Sequence, residues 1–122
     1  MAMKLITAII KPEKLDELIR ALIDSRVHGL TVSEVRGFGR QFGEPALGAE
    51  IDLGLPGARK AALLPKVRLD LVVLDDDADS LVETLAKQAR SDTIGDGKIW
   101  VSTVDSVLRV RTGEQDQAAV RP

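Results

Sequence analysis

Two stretches of this chain carry apolar side chains at the spacing of an α-helix, and this periodicity constrains the fold more than any other feature. The first stripe follows Pro12, a residue that suits the first turn of a helix. Its members are Leu15, Leu18, Ile19, Leu22 and Ile23. The second stripe follows the acidic run 75–77, where carboxylates favour the positive end of a helix dipole. Its members are Ala78, Leu81, Val82, Leu85, Ala86 and Ala89. The pattern predicts two amphipathic helices.

Runs typical of β-strands flank both helices. Residues 3–10 are apolar on both faces, as in a central strand, and residues 30–38 make a second run. Apolar and charged side chains alternate over residues 66–73, and residues 98–104 make a fourth run. A short extra strand is predicted over residues 107–111. The order β-α-β-β-α-β predicts an α+β, ferredoxin-like sandwich.

The composition restricts the class of protein. The chain has 122 residues, enough for one domain, which we place over residues 1–122. It has no cysteine, which excludes disulfides, thiolate zinc sites and thiol nucleophiles and fits a reducing cytosol. The formal charge of −2 argues against a nucleic-acid surface. No apolar run is long enough for a signal peptide or a membrane span, so we expect a cytoplasmic protein.

A long segment, the arm (residues 40–64), separates the second and third predicted strands. Hairpin connections usually take about 2–5 residues, so this length requires a reason. The arm contains four glycines and two prolines, and Gly39 stands at its edge. It is either a disordered insertion or a mobile element that contacts a ligand or a partner, and we favour the second interpretation.

Two groups of residues are candidates for holding an anion. The Gly-Asp-Gly-Lys sequence at 95–98 enters the fourth strand, where glycines can direct backbone N–H groups to a phosphate and the lysine adds a charge. Taken alone, this sequence is more often a tight turn with an exposed lysine. Arg109 and Arg111, two positions apart on the predicted extra strand, would point to one face and share a polyphosphate. Pairing of these arginines with Asp or Glu is an equal alternative.

Other polar residues flank the arm. Arg40 could reach a phosphate, and Gln41 could ligate a metal or hydrogen-bond a ligand. Lys66 lies at the opposite end of the arm. Each is more commonly an ordinary polar residue at a loop edge. The single histidine, His28, fits a helix C-terminus better than a catalyst, because no Ser or Asp is spaced for a triad with it.

Five collinear segments resemble the PII signal-transduction family and together cover most of the chain. They are IIKPEKLDELIRAL near the start, GLTVSEVRGFGRQ before the arm, LPKVRLDLVV after it, IGDGKIWV at the fourth strand and VLRVRTGEQDQAAV near the end. The resemblance implies a homotrimer that binds ATP or ADP in clefts between neighbouring subunits. It also implies that the arm is the family's T-loop, which reaches out to partners. Residues 90–98 would form the B-loop and residues 109–122 the C-terminal loop.

The resemblance assigns roles to individual residues. One side of the phosphates would be held by Gly95, Asp96, Gly97 and Lys98. The base of the arm would add Gly39 and Arg40, and the adjacent subunit would add Arg109 and Arg111. The adenine and ribose end would be lined by Thr31, Asp70 and Val72. A Mg²⁺ ion held by ATP would be bound by Gln41, and the carboxylate of 2-oxoglutarate would be bound by Lys66.

Three departures from the family pattern are visible. The arm is longer than is usual, and residues 37–64 contain no Tyr, Ser or Thr that could be nucleotidylated or phosphorylated. Ser91-Asp92-Thr93 stands where the family usually has Thr-Gly-Lys. The added carboxylate and lost lysine would either favour a less charged nucleotide, ADP or AMP, or weaken nucleotide binding. These departures make a PII-like regulator of bicarbonate uptake, binding ADP or AMP and bicarbonate, the alternative to a nitrogen regulator.

The leading hypothesis is a non-enzymatic, nucleotide-binding regulator that senses energy and carbon or nitrogen status. It would act on a transporter or an enzyme, and it would meet a membrane only through that partner. A small enzyme of the acylphosphatase kind needs Asn beside Arg, and the chain contains no Asn. A metal-tolerance trimer of similar fold binds ions through Cys or His, and the chain offers a single His.

Overall fold

The computed structural model describes residues 2–38, 49–52 and 60–121. The strands are β1 (Met3–Ile10), β2 (Thr31–Gly37), β3 (Ala49–Asp52), β4 (Lys60–Leu74) and β5 (Lys98–Val104). The helices are α1 (Leu15–Asp24), α2 (Asp75–Ala89) and α3 (Gln117–Val120), and a 3-10 turn (Pro12–Lys14) precedes α1. With β3 and α3 set aside, the order is the predicted β-α-β-β-α-β.

Both long helices form where the apolar stripes predict them. In α1 the stripe buries Leu18 and Leu22, and Pro12 opens the preceding 3-10 turn. In α2 three aspartates occupy the first turn, and the buried residues are Ala78, Leu81, Leu85 and Ala89. Carboxylates at this end offset the exposed N–H groups of the helix start. No helix among the described residues is long and apolar enough to cross a membrane.

The four main strands form one antiparallel sheet in the order β2-β4-β1-β5. The register places Thr31, Asp70, Thr7 and Trp100 in a single row across it. Paired residues of antiparallel strands present their side chains on the same face. This row therefore lies on one face of the sheet, which we call the open face, and the intervening residues of each strand lie on the other.

The hydrophobic core lies between the other face of the sheet and helices α1 and α2. It contains the buried residues Ile6, Ala8, Ile10, Leu18, Leu22, Leu69, Leu71, Leu81 and Leu85. Burying each large aliphatic side chain contributes roughly 1.5–3 kcal/mol. The core is aliphatic, as the scarcity of aromatic residues requires.

The extra strand predicted over residues 107–111 is wrong. Leu108 makes only an isolated bridge with Gln115, and residues 110–112 form a turn. Gly113 and Asp116 have φ angles of +74° and +54°, so the chain reverses there and leads into α3. Arg109 and Arg111 consequently do not share the face of a regular strand.

The strand that leaves the arm is longer than predicted. Its alternating pattern predicts a start at residue 66, whereas β4 begins at Lys60 and its first four residues pair with β3. The strand passes through Pro65, which pairs with Arg36 near the end of β2. Proline cannot donate to a ladder and therefore favours a strand start just after it. β1 pairs with β4 only from Val67 onward, so Pro65 has β2 on one side alone and is tolerated there. The short hairpin inside the arm has no counterpart in the sequence prediction.

Candidate functional site

Two glycines in the B-loop adopt backbone conformations that other residues rarely adopt. Gly95 and Gly97 have φ angles of +96° and +99°. A Cβ atom on Gly97 would lie 1.7 Å from the carbonyl oxygen of Ile9, at the end of β1. Gly97 is therefore required by the close approach of two backbone segments. The same geometry brings the 95–98 segment against the end of β1, at the entry to β5.

Asp96 is held by the loop itself. Its carboxylate accepts a hydrogen bond from the Ser91 backbone N–H at 2.8 Å and another from the Ser91 hydroxyl, and it pairs with Lys11 at 3.4 Å. The hydrogen bonds from Ser91, with that from Lys11, hold the pKa of Asp96 well below its usual range. The carboxylate is thus anionic at neutral pH and engaged with the loop.

Lys66 connects the base of the arm to the B-loop. Its half-buried ammonium donates a hydrogen bond to the Gly95 carbonyl oxygen at 2.7 Å. Desolvation lowers the pKa of Lys66, and the nearby positive charge of Lys11 lowers it further. Any ligand that recruits the Lys66 ammonium would consequently act on the loop as well.

Asp92 occupies a backbone position with φ of +58°, a conformation that Asp tolerates better than most residues. Its carboxylate accepts a hydrogen bond from Arg90 Nε at 2.5 Å, and both side chains are largely exposed. The negative charge of Asp92 is therefore partly compensated by Arg90.

An open groove of about 1030 Å³ lies elsewhere on the chain. Its walls are residues 25–31, the end of β4, one side of α2 and parts of the C-terminal segment. Five predicted site residues line it, namely Thr31, Asp70, Val72, Arg109 and Arg111. β2 pairs with β4 only as far as Asp70, so the β2-side edge of residues 71–74 adjoins the groove. Arg26 and His28 also line it; the sequence analysis assigned His28 to a helix end and did not single out Arg26.

The two arginines of the groove differ in what they contact. Arg109 donates to the carbonyl oxygens of Ala119 and Arg121 at 2.9 and 2.7 Å, and it pairs with Glu114 at 3.3 Å. The alternative of carboxylate pairing is therefore correct for Arg109, and this side chain holds the end of the C-terminal loop in place. Arg111 is exposed and makes no hydrogen bond or ion pair with any described residue.

Asp70 is also committed to its neighbours. It accepts hydrogen bonds from Arg68 Nε at 2.9 Å and from the buried Thr7 hydroxyl at 2.8 Å. The hydrogen bond from Arg68 lowers the pKa of Asp70, and that from Thr7 adds to the effect against the opposing desolvation. The Asp70 carboxylate, which lines the groove, is therefore held in place by Arg68 and Thr7.

The predicted site residues lie in two separate places on one chain. One group belongs to the B-loop or contacts it, and none of its members lines the groove: Gly95, Asp96, Gly97 and Lys98 of the loop, and Lys66, which donates to Gly95. Gly39, Arg40 and Gln41 lie outside the described residues. No cluster of His, Asp or Glu able to hold a metal is present among residues 2–38, 49–52 and 60–121. The predicted ligand groups are thus divided into a groove half and a B-loop half.

The chain is similar to known proteins over nearly its whole length. A family model described as nitrogen regulatory protein P-II matches residues 3–114. Nitrogen regulatory protein P-II 2 of Methanothermobacter thermautotrophicus is 48% identical over 120 residues, which cover 97% of each chain. Nitrogen regulatory protein GlnK of Escherichia coli is 45% identical over 120 residues, covering 97% of this chain and 100% of GlnK.

The fold has a match among experimental structures. The crystal structure of Arabidopsis thaliana PII bound to citrate superposes with a TM-score of 0.76 at 33% sequence identity. The superposition covers 97% of this chain and 92% of the plant protein. The agreement extends the sequence match to the arrangement of strands and helices.

Proposed function

The chain belongs to the nitrogen regulatory protein P-II family, and from that premise we propose that it is a nucleotide-dependent regulator of a partner transporter or enzyme. It binds ADP or ATP, with AMP as a further ligand, and it catalyses no reaction of its own. It acts in the cytoplasm, where adenine nucleotides are abundant, and the arm carries the signal to the partner. It thereby links energy and carbon or nitrogen status to transport or metabolism.

The observation that carries this proposal is the division of the site into two halves. A nucleotide has an apolar base and an anionic phosphate chain, and the groove half and the B-loop half supply complementary surfaces. Because the halves are separate on one chain, they would meet only across an interface between copies. A closed, heterologous ring would join each B-loop to the groove of its neighbour. We propose that this ring is a homotrimer.

The chemistry of each half supports the assignment of ligand parts. Val72 lies in the part of β4, residues 71–74, that β2 leaves unpaired, and Thr31 lies beside it at the start of β2. The free backbone groups of this edge suit the hydrogen-bonding edge of adenine. Arg111 and Lys98 carry exposed charges suited to phosphate oxygens. Arg109 would contact phosphate only by sharing the donors that hold the C-terminal loop.

A small carboxylate is proposed as the second effector. Lys66 at the base of the arm would contact 2-oxoglutarate or bicarbonate, and Gln41 would complete a Mg²⁺ site formed with ATP. The plant relative is described as bound to citrate, so a protein of this fold accepts a carboxylate ligand.

A second candidate function, regulation of bicarbonate uptake, is favoured by the B-loop. The exposed Asp92 carboxylate adds a negative charge to this loop, and an added negative charge near the phosphates would disfavour a highly charged nucleotide. The arm also lacks a hydroxyl group between residues 37 and 64. The relatives described above are nitrogen regulators, so the first candidate remains the leading one.

The proposal is tested by calorimetric titration of ATP, ADP and AMP into the parent and three variants. Arg111→Ala should weaken binding at least about tenfold without lowering the melting temperature, because its donors hold nothing in the free chain. Arg109→Ala should weaken binding and also lower the melting temperature, because three contacts of the C-terminal loop are lost. Arg20→Ala is the control: Arg20 is an exposed residue of α1, and this variant should bind like the parent.

The outcomes separate the proposals. A parent protein that binds none of the three nucleotides would contradict the proposed function. Binding that Arg111→Ala leaves unchanged would contradict the assignment of the groove half. A parent that prefers ADP or AMP and responds to bicarbonate would favour the second candidate function over the first.

A further inference from the structure

Lys11 lies next to the B-loop although 80 residues of sequence separate it from Ser91. It follows β1 and precedes the 3-10 turn, and its ammonium contacts three side chains of the loop. Lys11 Nζ donates to the Ser91 hydroxyl at 3.2 Å and to the Thr93 hydroxyl, and it pairs with Asp96 at 3.4 Å. An ammonium has three N–H donors, so three oxygens match its capacity.

The charged side chain of Lys11 is also largely buried. Only 17% of its side chain is exposed, so the ion pair with Asp96 is less screened by salt than a surface pair. Lys66 holds the same loop from the other end through the Gly95 carbonyl oxygen. The 91–97 segment is thus fixed between two ammonium groups that come from different parts of the chain.

We infer that Lys11 is a positioning residue of the anion site, which fixes the backbone of Gly95 to Gly97 in the conformation that receives phosphate. This inference rests on the proposed function. The donors of Lys11 are directed to Ser91, Thr93 and Asp96, so its effect on a ligand passes through the loop.

Two physical effects would follow from the loss of its charge. The Ser91 and Thr93 hydroxyls would lose their common donor, and the loop would sample other conformations before it binds. The hydrogen bonds from Ser91 would still stabilise the ionised form of Asp96, but Asp96 would no longer be paired with the Lys11 ammonium. An uncompensated carboxylate beside a phosphate repels it, so both effects weaken binding.

The test compares Lys11→Met, which keeps the length of the side chain and removes the charge, with a matched control. Lys14→Met is that control, because Lys14 lies one turn further on and pairs with Glu17 at 3.8 Å instead of with the loop. In calorimetry, Lys11→Met should bind ADP about tenfold or more weakly than the parent, and Lys14→Met should bind within about twofold. Lys11→Arg should recover part of the loss, because it restores the charge and donors.

A second readout needs no nucleotide. Amide hydrogen exchange across residues 91–98 of the free protein should be faster in Lys11→Met than in the parent or in Lys14→Met, while exchange in β1 and α2 should be the same. Thr93→Val should accelerate exchange in the same segment, because it removes a partner of Lys11 from the other side.

Each outcome bears on one proposal. Equal ADP affinity in Lys11→Met and the parent, with equal exchange over 91–98, would overturn the role of Lys11. Faster exchange throughout Lys11→Met would also overturn it, because Lys11 would then support the whole fold. If the parent binds no nucleotide, the proposed function fails, and local exchange alone decides whether Lys11 positions the loop.

Discussion

Gly97 shows how one atom can decide a local structure at the residue scale. Its φ angle is positive, a conformation that other residues rarely adopt. An added Cβ would also lie only 1.7 Å from the Ile9 carbonyl oxygen, so no other residue fits without a shift of the backbone. The sequence singled out this glycine as a phosphate ligand. Its role in the structure is the close packing of the B-loop on β1.

Gly97→Ala should therefore destabilise the protein by about 3 kcal/mol or more, because a positive φ and a backbone clash act together. Gly37→Ala is the matched control, since nothing lies within 4 Å of the added carbon, and it should change stability by less than about 1 kcal/mol. Urea denaturation of both variants gives the comparison. Equal midpoints would show that the loop relaxes away from β1.

Asp96 should make stability depend on acid. Its pKa is lowered in the folded chain from an ordinary 3.8, so its contribution is fully present above that value and is lost as the pH falls through the folded pKa. Asp96→Asn removes this contribution. Melting temperatures of the free protein should differ between parent and variant by a constant amount above about pH 5, and the difference should shrink below about pH 4. Parallel curves down to about pH 3 would contradict the assignment.

At the level of elements, sequence patterns predicted the long helices from their apolar stripes and the four main strands from apolar or alternating runs. Helix α2 and strand β5 begin and end where the stripe and the loop predict. The extra strand predicted over residues 107–111 was wrong, because the apolar residues there also fit a chain that reverses direction at Gly113. The arm hairpin escaped prediction, since its pairing of β3 with β4 depends on a partner rather than on a local pattern.

The arm should respond to ligands instead of covalent modification. Residues 37–64 have no hydroxyl side chain, and ordering such a segment costs roughly 1 kcal/mol or more per residue. A ligand at Lys66 would offset part of that cost and select one conformation. Amide exchange across residues 42–63 should change when nucleotide is added together with 2-oxoglutarate or bicarbonate. Identical exchange in every combination would instead support the interpretation of a disordered insertion.

At the level of the whole molecule, the open face of the sheet is the surface that a neighbouring copy would cover. Trp100 lies on this face in the row that contains Thr7 and Asp70, and 44% of it is exposed. Val72, on the same face, is also partly exposed. Large apolar side chains exposed at a protein surface commonly mark an interface between proteins.

The parent should sediment as a trimer, at three times 13.2 kDa, at micromolar concentration. Trp100→Glu should dissociate it, because a buried charge without a partner is costly. Ile23→Glu is the control, since Ile23 is 63% exposed on α1, the helix that packs on the opposite face of the sheet. Monomeric parent protein, or an intact trimer in Trp100→Glu, would contradict this arrangement.

The site was less predictable than the fold. Lys98 and Arg111 were predicted as phosphate contacts because the positive charge of these residue types already indicates an anion, and both are exposed. The contacts of Lys11 with the B-loop and of Arg109 with backbone carbonyl oxygens were not predicted, since each joins positions whose proximity depends on the complete fold. The division into a groove half and a B-loop half likewise required the arrangement of all strands.

That division has a genetic consequence. A host that makes two similar chains of this kind would assemble rings containing both, and some sites would take the B-loop from one gene product and the arginines from the other. A defect in either gene would then also inactivate sites to which the second gene contributes a normal subunit. Conversely, two chains with defects in opposite halves would restore one complete site at a junction of every mixed ring. Whether a given site works would therefore depend on the sequences of two adjacent subunits.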